Sequence, residues 1–467
     1  MAFTGKLLFS IVASAIGSAF QHGYNTGVMN NPQHVMTQWL NGSMIDRGQD
    51  TDEQKINLIW STITSIYALG GMIGALGVGL MSRFFGLKWA LIFNNIFVVI
   101  SAVLVFLSKL TAFYELLIVA RFILGLNSGI FAGLCPMYLN EISPVAKRGA
   151  IASVYQLVIT ISILIAQLLS YEKVLGSDTL WPYLIGAVIL VPCLFQCLTL
   201  PFCPESPRYL LIIKKDQEKA QKSLKWLRNT ENNAEEIGDM QKEAAAQEAA
   251  GSVTWKAMFT KKSLRTPLII SLMIMLAQQL CGINAIIVYS NDIFHNAGLD
   301  DFWSALGTVI IGIVNVLMTI VSLVLVDHLG RKTLLIIGFS GTTIFMTLLA
   351  VSIKFSEDYT AMGILCIVFV IGFIISFATG PGSVPWFLVT ELFKQDARPK
   401  ATSLAVFTNW FANTIVMLAF LPIKYYLGYF VFLIFIAFQI LFLVFIIFKV
   451  PETKNKHIEE ITALFSD

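Results

Sequence analysis

Three side-chain amides stand where hydrocarbon is expected. The run Leu268 to Val288 is long and apolar enough to cross a bilayer, yet it carries Gln278, Gln279 and Asn284 within Leu276-Ala-Gln-Gln-Leu-Cys-Gly-Ile-Asn284. Amides in hydrocarbon are costly unless they meet a partner or a watery cavity. A carboxamide donates and accepts hydrogen bonds without carrying charge, which suits a neutral, hydroxyl-rich solute. At about 100° per residue the three point near 0°, about 100° and about 240°, so no single face of a straight helix holds them all. Either two have partners elsewhere, or the helix unwinds near Gly282, the residue type most tolerant of non-helical backbone.

Further polar stripes lie in other apolar runs. Gln156, Thr160 and Gln167 share a face of one; Thr308, Asn315, Thr319 and Ser322 line another; Asn409 and Asn413 stand four apart in a third. Helix–helix hydrogen bonding accounts for a lone stripe. Three stripes together with the amides above point to a shared cavity. Gly380-Pro-Gly and Pro385 leave a further run unable to hold a straight helix, a reasonable hinge.

The elements that must position these residues are membrane spans. The hydrophobic fraction is 56% and the charged fraction 13%, with a mean hydropathy of +0.73, values outside the soluble range. Twelve runs of sufficient length centre on residues 8–29, 57–81, 88–107, 112–138, 149–170, 182–202, 267–294, 304–326, 333–353, 361–389, 401–422 and 428–449. The first reads as a span and not as a removed signal peptide, since no small-residue cleavage site follows it. Between spans six and seven lies the long polar stretch Glu205 to Lys262. Its Lys- and Glu-rich part reads as short amphipathic helices, with a disordered linker as the alternative. The division expected is 1–204 for a six-helix lobe, 205–262 for a cytoplasmic helical linker, 263–450 for a second lobe and 451–467 for a tail.

Basic residues set the orientation. Arg83, Lys88, Lys147, Arg148, the long loop, Arg331, Lys332, Lys394, Arg398, Lys400, Lys454 and Lys456 all fall on one side. Both termini and the long loop are therefore expected in the cytoplasm. The first outer loop carries Asn41-Gly-Ser43, a glycosylation sequon. The six cysteines show no metal-like pattern with His or carboxylates and read as buried free thiols.

The halves repeat each other. Glu141-Ile-Ser-Pro-Val-Ala-Lys-Arg148 follows span four and Glu391-Leu-Phe-Lys-Gln-Asp-Ala-Arg398 follows span ten. Gly86-Leu-Lys88 is matched by Gly330-Arg-Lys332, and Pro204-Glu-Ser-Pro-Arg208 by Pro451-Glu-Thr-Lys454. Three motifs in one order at nearly one offset imply a six-plus-six duplication, the plan of a two-lobed transporter with its site between the lobes. These acid and base pairs, where helices meet the cytoplasm, could bridge the lobes when the inner side closes. Helix-end capping and topology signals are the plainer alternative.

Taken together, the motifs Gly23-Tyr-Asn-Thr-Gly27, Pro204-Glu-Ser-Pro-Arg208, Gln278-Gln-Leu-Cys-Gly-Ile-Asn284, Gly380-Pro-Gly-Ser-Val-Pro-Trp386, Asn409-Trp410 and Pro451-Glu-Thr-Lys454 span the chain. In these the chain resembles the sugar porters of the major facilitator superfamily, specifically the animal facilitative glucose transporters. The resemblance implies an all-α membrane protein of twelve helices in two six-helix lobes (the major facilitator fold). It implies a plasma-membrane uniporter that moves hexose, D-glucose foremost, by alternating access. The sugar-contacting positions it implies are Gln156, Gln278, Gln279, Asn284, Asn315, Trp386, Asn409 and Trp410. The gating and salt-bridge positions are Glu141, Arg148, Glu205, Arg208, Asp327, Arg331, Glu391 and Arg398, with Tyr24 and Tyr289 at an outer gate. Either tryptophan could cover the C–H face of a sugar.

The chain departs from the family pattern at several positions. Ala378 stands where glucose-type members usually have Glu, Cys281 where they have Ser, and Val288 where they have the first of a Tyr pair. Phe84 and Leu87 replace Arg in the motif after span two, so the inner network of the first half should be weaker. Trp386 is retained, whereas fructose-selective relatives tend to a smaller residue there.

A fructose or broad-hexose uniporter is the nearest alternative. A proton-coupled symporter of the same fold would need a titratable group in the membrane. The proton-coupled relatives have Asp where this chain has Asn25, and Arg121 stays protonated. A non-transporting sugar sensor usually adds long cytoplasmic tails, and the tail after Lys449 is short. No Ser-His-Asp arrangement, metal cluster or phosphate loop suggests an enzyme. No catalytic residue, metal, cofactor or nucleic-acid partner is expected, and the oligomeric state is left open.

Overall fold

A computed structural model describes residues 4–144, 148–230, 233–250, 253–356, 358–393, 397–454, 456 and 458–465, and these residues contain helices and no strand. Span one is Gly5–Gly27, followed by a short helix, Gln33–Asp46. Spans two and three form Glu53–Thr111, divided at Gly86, and span four is Tyr114–Ile142. Span five is Arg148–Leu169 and span six Tyr183–Phe202. Span seven is split into Lys262–Leu280 and Ile283–Asn296. Spans eight and nine are Asp301–Leu329 and Arg331–Phe355. Span ten is split into Thr360–Thr379 and Val384–Glu391, and spans eleven and twelve are Arg398–Leu427 and Val431–Lys449.

Among the described residues, nine stretches are long and apolar enough to cross a membrane, and one of them, Lys400–Lys449, contains both spans eleven and twelve. Span one falls short in hydropathy because it buries Ser10, Ser14, Ser18, Gln21 and Asn25 inside the bundle. Lipid-facing helices show the reverse pattern. Val191, Leu194, Leu198 and Phe202 recur at three- and four-residue spacing along span six and are 60–75% exposed, a stripe that only hydrocarbon would cover.

The lobes meet along spans that the duplication exchanges. Span five packs on span eight, span two on span eleven, and span one touches the outer half of span seven. The long polar stretch is helical over Gln217–Arg228, Ala234–Ala250 and Trp255–Thr260. It is fastened to the first lobe. Arg228 pairs with Glu236 at 2.7 Å and donates to Ile142 O at 2.8 Å, while the Ser223 hydroxyl donates to Glu205 O at 2.7 Å.

Candidate functional site

Span seven breaks where its amides demanded. Gly282 has φ +91°, a left-handed conformation that side chains rarely adopt, and the helix stops at Leu280 and restarts at Ile283. The Gln439 amide of span twelve donates to the freed Cys281 carbonyl at 2.8 Å. Span ten is broken as well, and its freed Pro381 and Gly382 carbonyls both accept from Gln278 Nε2 at 2.9 Å. Each break thus supplies what the other needs: carbonyls without helical partners meet a donor without one.

From there an amide network extends into the space between the lobes. Asn409 Nδ2 donates to Gln278 Oε1 at 2.7 Å, Gln279 Nε2 donates to Asn409 Oδ1 at 2.9 Å, and Asn284 Nδ2 donates to Gln279 Oε1. The network borders a cavity of about 120 Å³. At roughly 10–15 Å³ of such space per water, this holds on the order of ten waters or one small polyol. All eight positions expected to contact solute line it: Gln156, Gln278, Gln279, Asn284, Asn315, Trp386, Asn409 and Trp410. Ala378 is also in the wall. The lining offers many neutral donors and acceptors plus aromatic faces, a surface matched to hydroxyls and C–H groups together.

One end of the cavity is crossed by bonds between the lobes. Tyr289 OH lies 2.8 Å from Thr64 Oγ1, and its ring stacks on Phe420 at 5.2 Å. Asn30 Nδ2 donates to Ile287 O at 2.8 Å and Ser290 Oγ at 2.7 Å, and Asn30 Oδ1 accepts from the Asn291 backbone. Tyr24 does not join Tyr289. It is fully buried and donates to Leu184 O of span six in its own lobe at 2.7 Å.

A family model described as sugar (and other) transporter matches residues 10–465. The human solute carrier family 2 facilitated glucose transporter member 3 is 42% identical over 464 residues, covering 99% of this chain and 92% of its own. The chain belongs to the sugar transporter family. Human facilitated glucose transporter member 14 is 41% identical over 466 residues, covering 100% of this chain and 89% of its own. The solved xylose transporter of E. coli, in a partially occluded inward-open conformation, matches with a TM-score of 0.82 at 25% identity, covering 97% of this chain and 100% of that one. The twelve spans above are therefore the two six-helix lobes of the major facilitator fold.

In this sugar transporter the duplicated motifs build matching devices at corresponding helix ends of the two lobes. Glu205 accepts from the backbone N–H groups of Leu87 (3.2 Å), Lys88 (3.0 Å) and Ser206 (2.9 Å). Burial is the main influence on this carboxyl and raises its pKa, and the amides and Lys88 work against that rise. Glu452 accepts in the same way from Arg331 (2.9 Å), Lys332 (3.0 Å) and Thr453 (3.0 Å). The turns that present these amides need Gly86 at φ +81° and Gly330 at φ +89°. The Ser206 hydroxyl donates to Glu141, and the Thr453 hydroxyl donates to Glu391 at 2.6 Å. Arg331 adds an ion pair to Glu391 at 2.8 Å, whereas the matching position in the first lobe is the buried Leu87. Arg208 stands at the N-terminal end of the short helix Tyr209–Ile213. The side chains of Arg148, Asp327 and Arg398 lie outside the described residues.

The sequon sits on the short helix Gln33–Asp46, with Asn41 half-buried and the buried Ser43 hydroxyl donating to Ala112 O. Sequence reasoning missed His22. It lines the cavity, stacks on Trp410 at 5.2 Å and places Nδ1 3.2 Å from Tyr155 OH. The available signal was its spacing from Thr26, four residues on, which lines the same wall.

Proposed function

We propose that this chain carries hexose, D-glucose foremost, across the plasma membrane by facilitative alternating access. The observation that carries the reading is the convergence of eight neutral or aromatic side chains from five spans on one cavity between the lobes. In this reading Gln156, Gln278, Gln279, Asn284, Asn315 and Asn409 hydrogen-bond the sugar, and Trp386 and Trp410 cover its apolar faces. Tyr289 closes the outer mouth. Glu141, Arg148, Glu205, Arg208, Asp327, Arg331, Glu391 and Arg398 hold the cytoplasmic ends and bias the inner gate. Both termini and the linker 205–262 face the cytoplasm, between lobes 1–204 and 263–450 with a tail 451–467, and Asn41 carries a glycan on the outer side. Human facilitated glucose transporter members 3 and 14, at 42% and 41% identity, favour sugar uniport over the alternatives. Asn25 in place of a carboxylate agrees with transport uncoupled from protons.

The deciding experiment is radiolabelled uptake by purified protein in liposomes, comparing glucose, galactose, mannose and fructose with and without a protonophore. Saturable, protonophore-insensitive glucose uptake is expected. Transport of fructose alone would refute the glucose preference, and collapse of uptake by the protonophore would refute uniport.

A further inference from the structure

The central cavity has no acidic wall. Among its described lining residues there is neither Asp nor Glu, and the small apolar Ala378 stands in the wall. Directly beside it, sharing Thr26, Asn284 and Asn413, is a smaller hole of about 10 Å³ lined by Arg121. Arg121 is 2% exposed. Its Nη2 donates to Asn25 O at 3.0 Å and its guanidinium lies 4.6 Å from the centre of the Tyr67 ring, while Nε and Nη1 have no hydrogen-bond partner. None of the ion pairs among the described residues includes Arg121. The side-chain oxygens of Asn25 and Asn413, also without partners and lining the same hole, can turn dipoles toward the cation but cannot neutralise it. A guanidinium does not give up its proton in proteins. His22 in the cavity wall is neutral or positive and never negative. The solute space is therefore biased toward positive potential, from an uncompensated buried cation next to it.

Resting on the hexose reading above, we infer that the same cavity also accepts a polyhydroxylated monocarboxylate, a hexuronate. Its hydroxyls take the amides that a hexose would take. Its carboxylate lies toward the Thr26–Asn413 end, where the field of Arg121 offsets part of the cost of bringing an anion out of water. The same field disfavours an aminohexose, which has nearly the same shape and the opposite charge. A unit charge about 10 Å away at an effective dielectric near 20 shifts binding by roughly tenfold in each direction.

The test uses the full chain in liposomes, with labelled glucose uptake competed by glucose, glucuronate and protonated glucosamine. Glucuronate is expected to compete at least about tenfold better than glucosamine. Ala378→Glu should reverse that order by putting a carboxylate in the wall. Arg121→Gln should weaken glucuronate selectively, and if that variant does not fold, the Ala378→Glu comparison decides alone. Failure of glucuronate to compete, or an unchanged glucuronate-to-glucosamine ratio in Ala378→Glu, would overturn the inference while leaving hexose transport standing. Absence of glucose uptake in the unmodified protein would instead remove the hexose reading on which it rests.

Discussion

At the helix ends that carry the duplicated motifs the two lobes use the same parts. Glu205 and Glu452 cap the starts of spans three and nine, Ser206 and Thr453 bind Glu141 and Glu391, and Lys88 and Lys332 each donate to a carbonyl 2.8 Å away near the end of spans six and twelve. At the cavity they part company. The first lobe contributes unbroken helices with His22, Thr26, Gln156 and Thr160, whereas the second contributes two broken helices, the amide network and both tryptophans. Anchoring at the membrane face has been kept in both copies. The amides and tryptophans that line the cavity are concentrated in one.

The largest test of that asymmetry sets Gln279→Leu against Gln156→Leu. The first variant removes the partner of Asn284 Nδ2 and of Asn409 Oδ1 as well as a solute contact, at about 2–4 kcal/mol, so transport should drop by roughly 30-fold or more with the protein still folded. The second removes one contact and should cost about tenfold. Equal losses in liposome uptake would show that recognition is shared between the lobes after all.

The next test makes the lobes alike. Arg331→Leu gives the second lobe the residue of the first and leaves Glu391 with the Thr453 hydroxyl, which should lower stability by about 2 kcal/mol. Leu87→Arg should gain less than about 1 kcal/mol, because it must displace a buried apolar side chain. Thermal unfolding of the detergent-solubilised protein reads both, and an unchanged Tm in Arg331→Leu would mean that the ion pair carries no stability.

Glu205→Ala and Glu452→Ala should each cost about 1 kcal/mol through loss of a helix cap, and nearly equally. A clear inequality would show that the matching geometry hides different energetics. The smallest effect belongs to the outer closure. Tyr289→Phe keeps the ring stacked on Phe420 but removes the bond to Thr64, shifting the lobes toward outward opening by about 1 kcal/mol, near fivefold. Labelling of a cysteine introduced at the outer mouth measures that shift.

Much of this was legible from residue types alone. Three amides that cannot share a face required either a break or outside partners, and the structure has both, at Gly282 and at the Pro381 and Gly382 carbonyls. The break could be placed from sequence because it depends on one residue's backbone freedom. Those carbonyl acceptors could not, since they arise only where two distant broken helices meet. Tyr24 shows the same limit in reverse. Its motif fixes its place on span one, but that the hydroxyl would donate to Leu184 O of span six depends on packing that no local pattern reveals. His22 escaped notice because a single imidazole in an apolar run resembles a core residue until a second helix brings Trp410 against it. The apolar content of the linker foretold helices. That Arg228 would fasten them to Ile142 depends on a helix end that no local pattern reveals.

The break in span seven divides the work between its two pieces. The lower piece is tied within its own lobe, through Gln278 to span ten and Gln279 to span eleven, and the upper piece is held to the opposite lobe by Tyr289 and Asn291. In the proposed transport cycle the upper piece can travel as the mouth opens while the lower piece keeps its bonds. The reading head can stay assembled while the door moves, so a solute arriving from either side is compared with the same template.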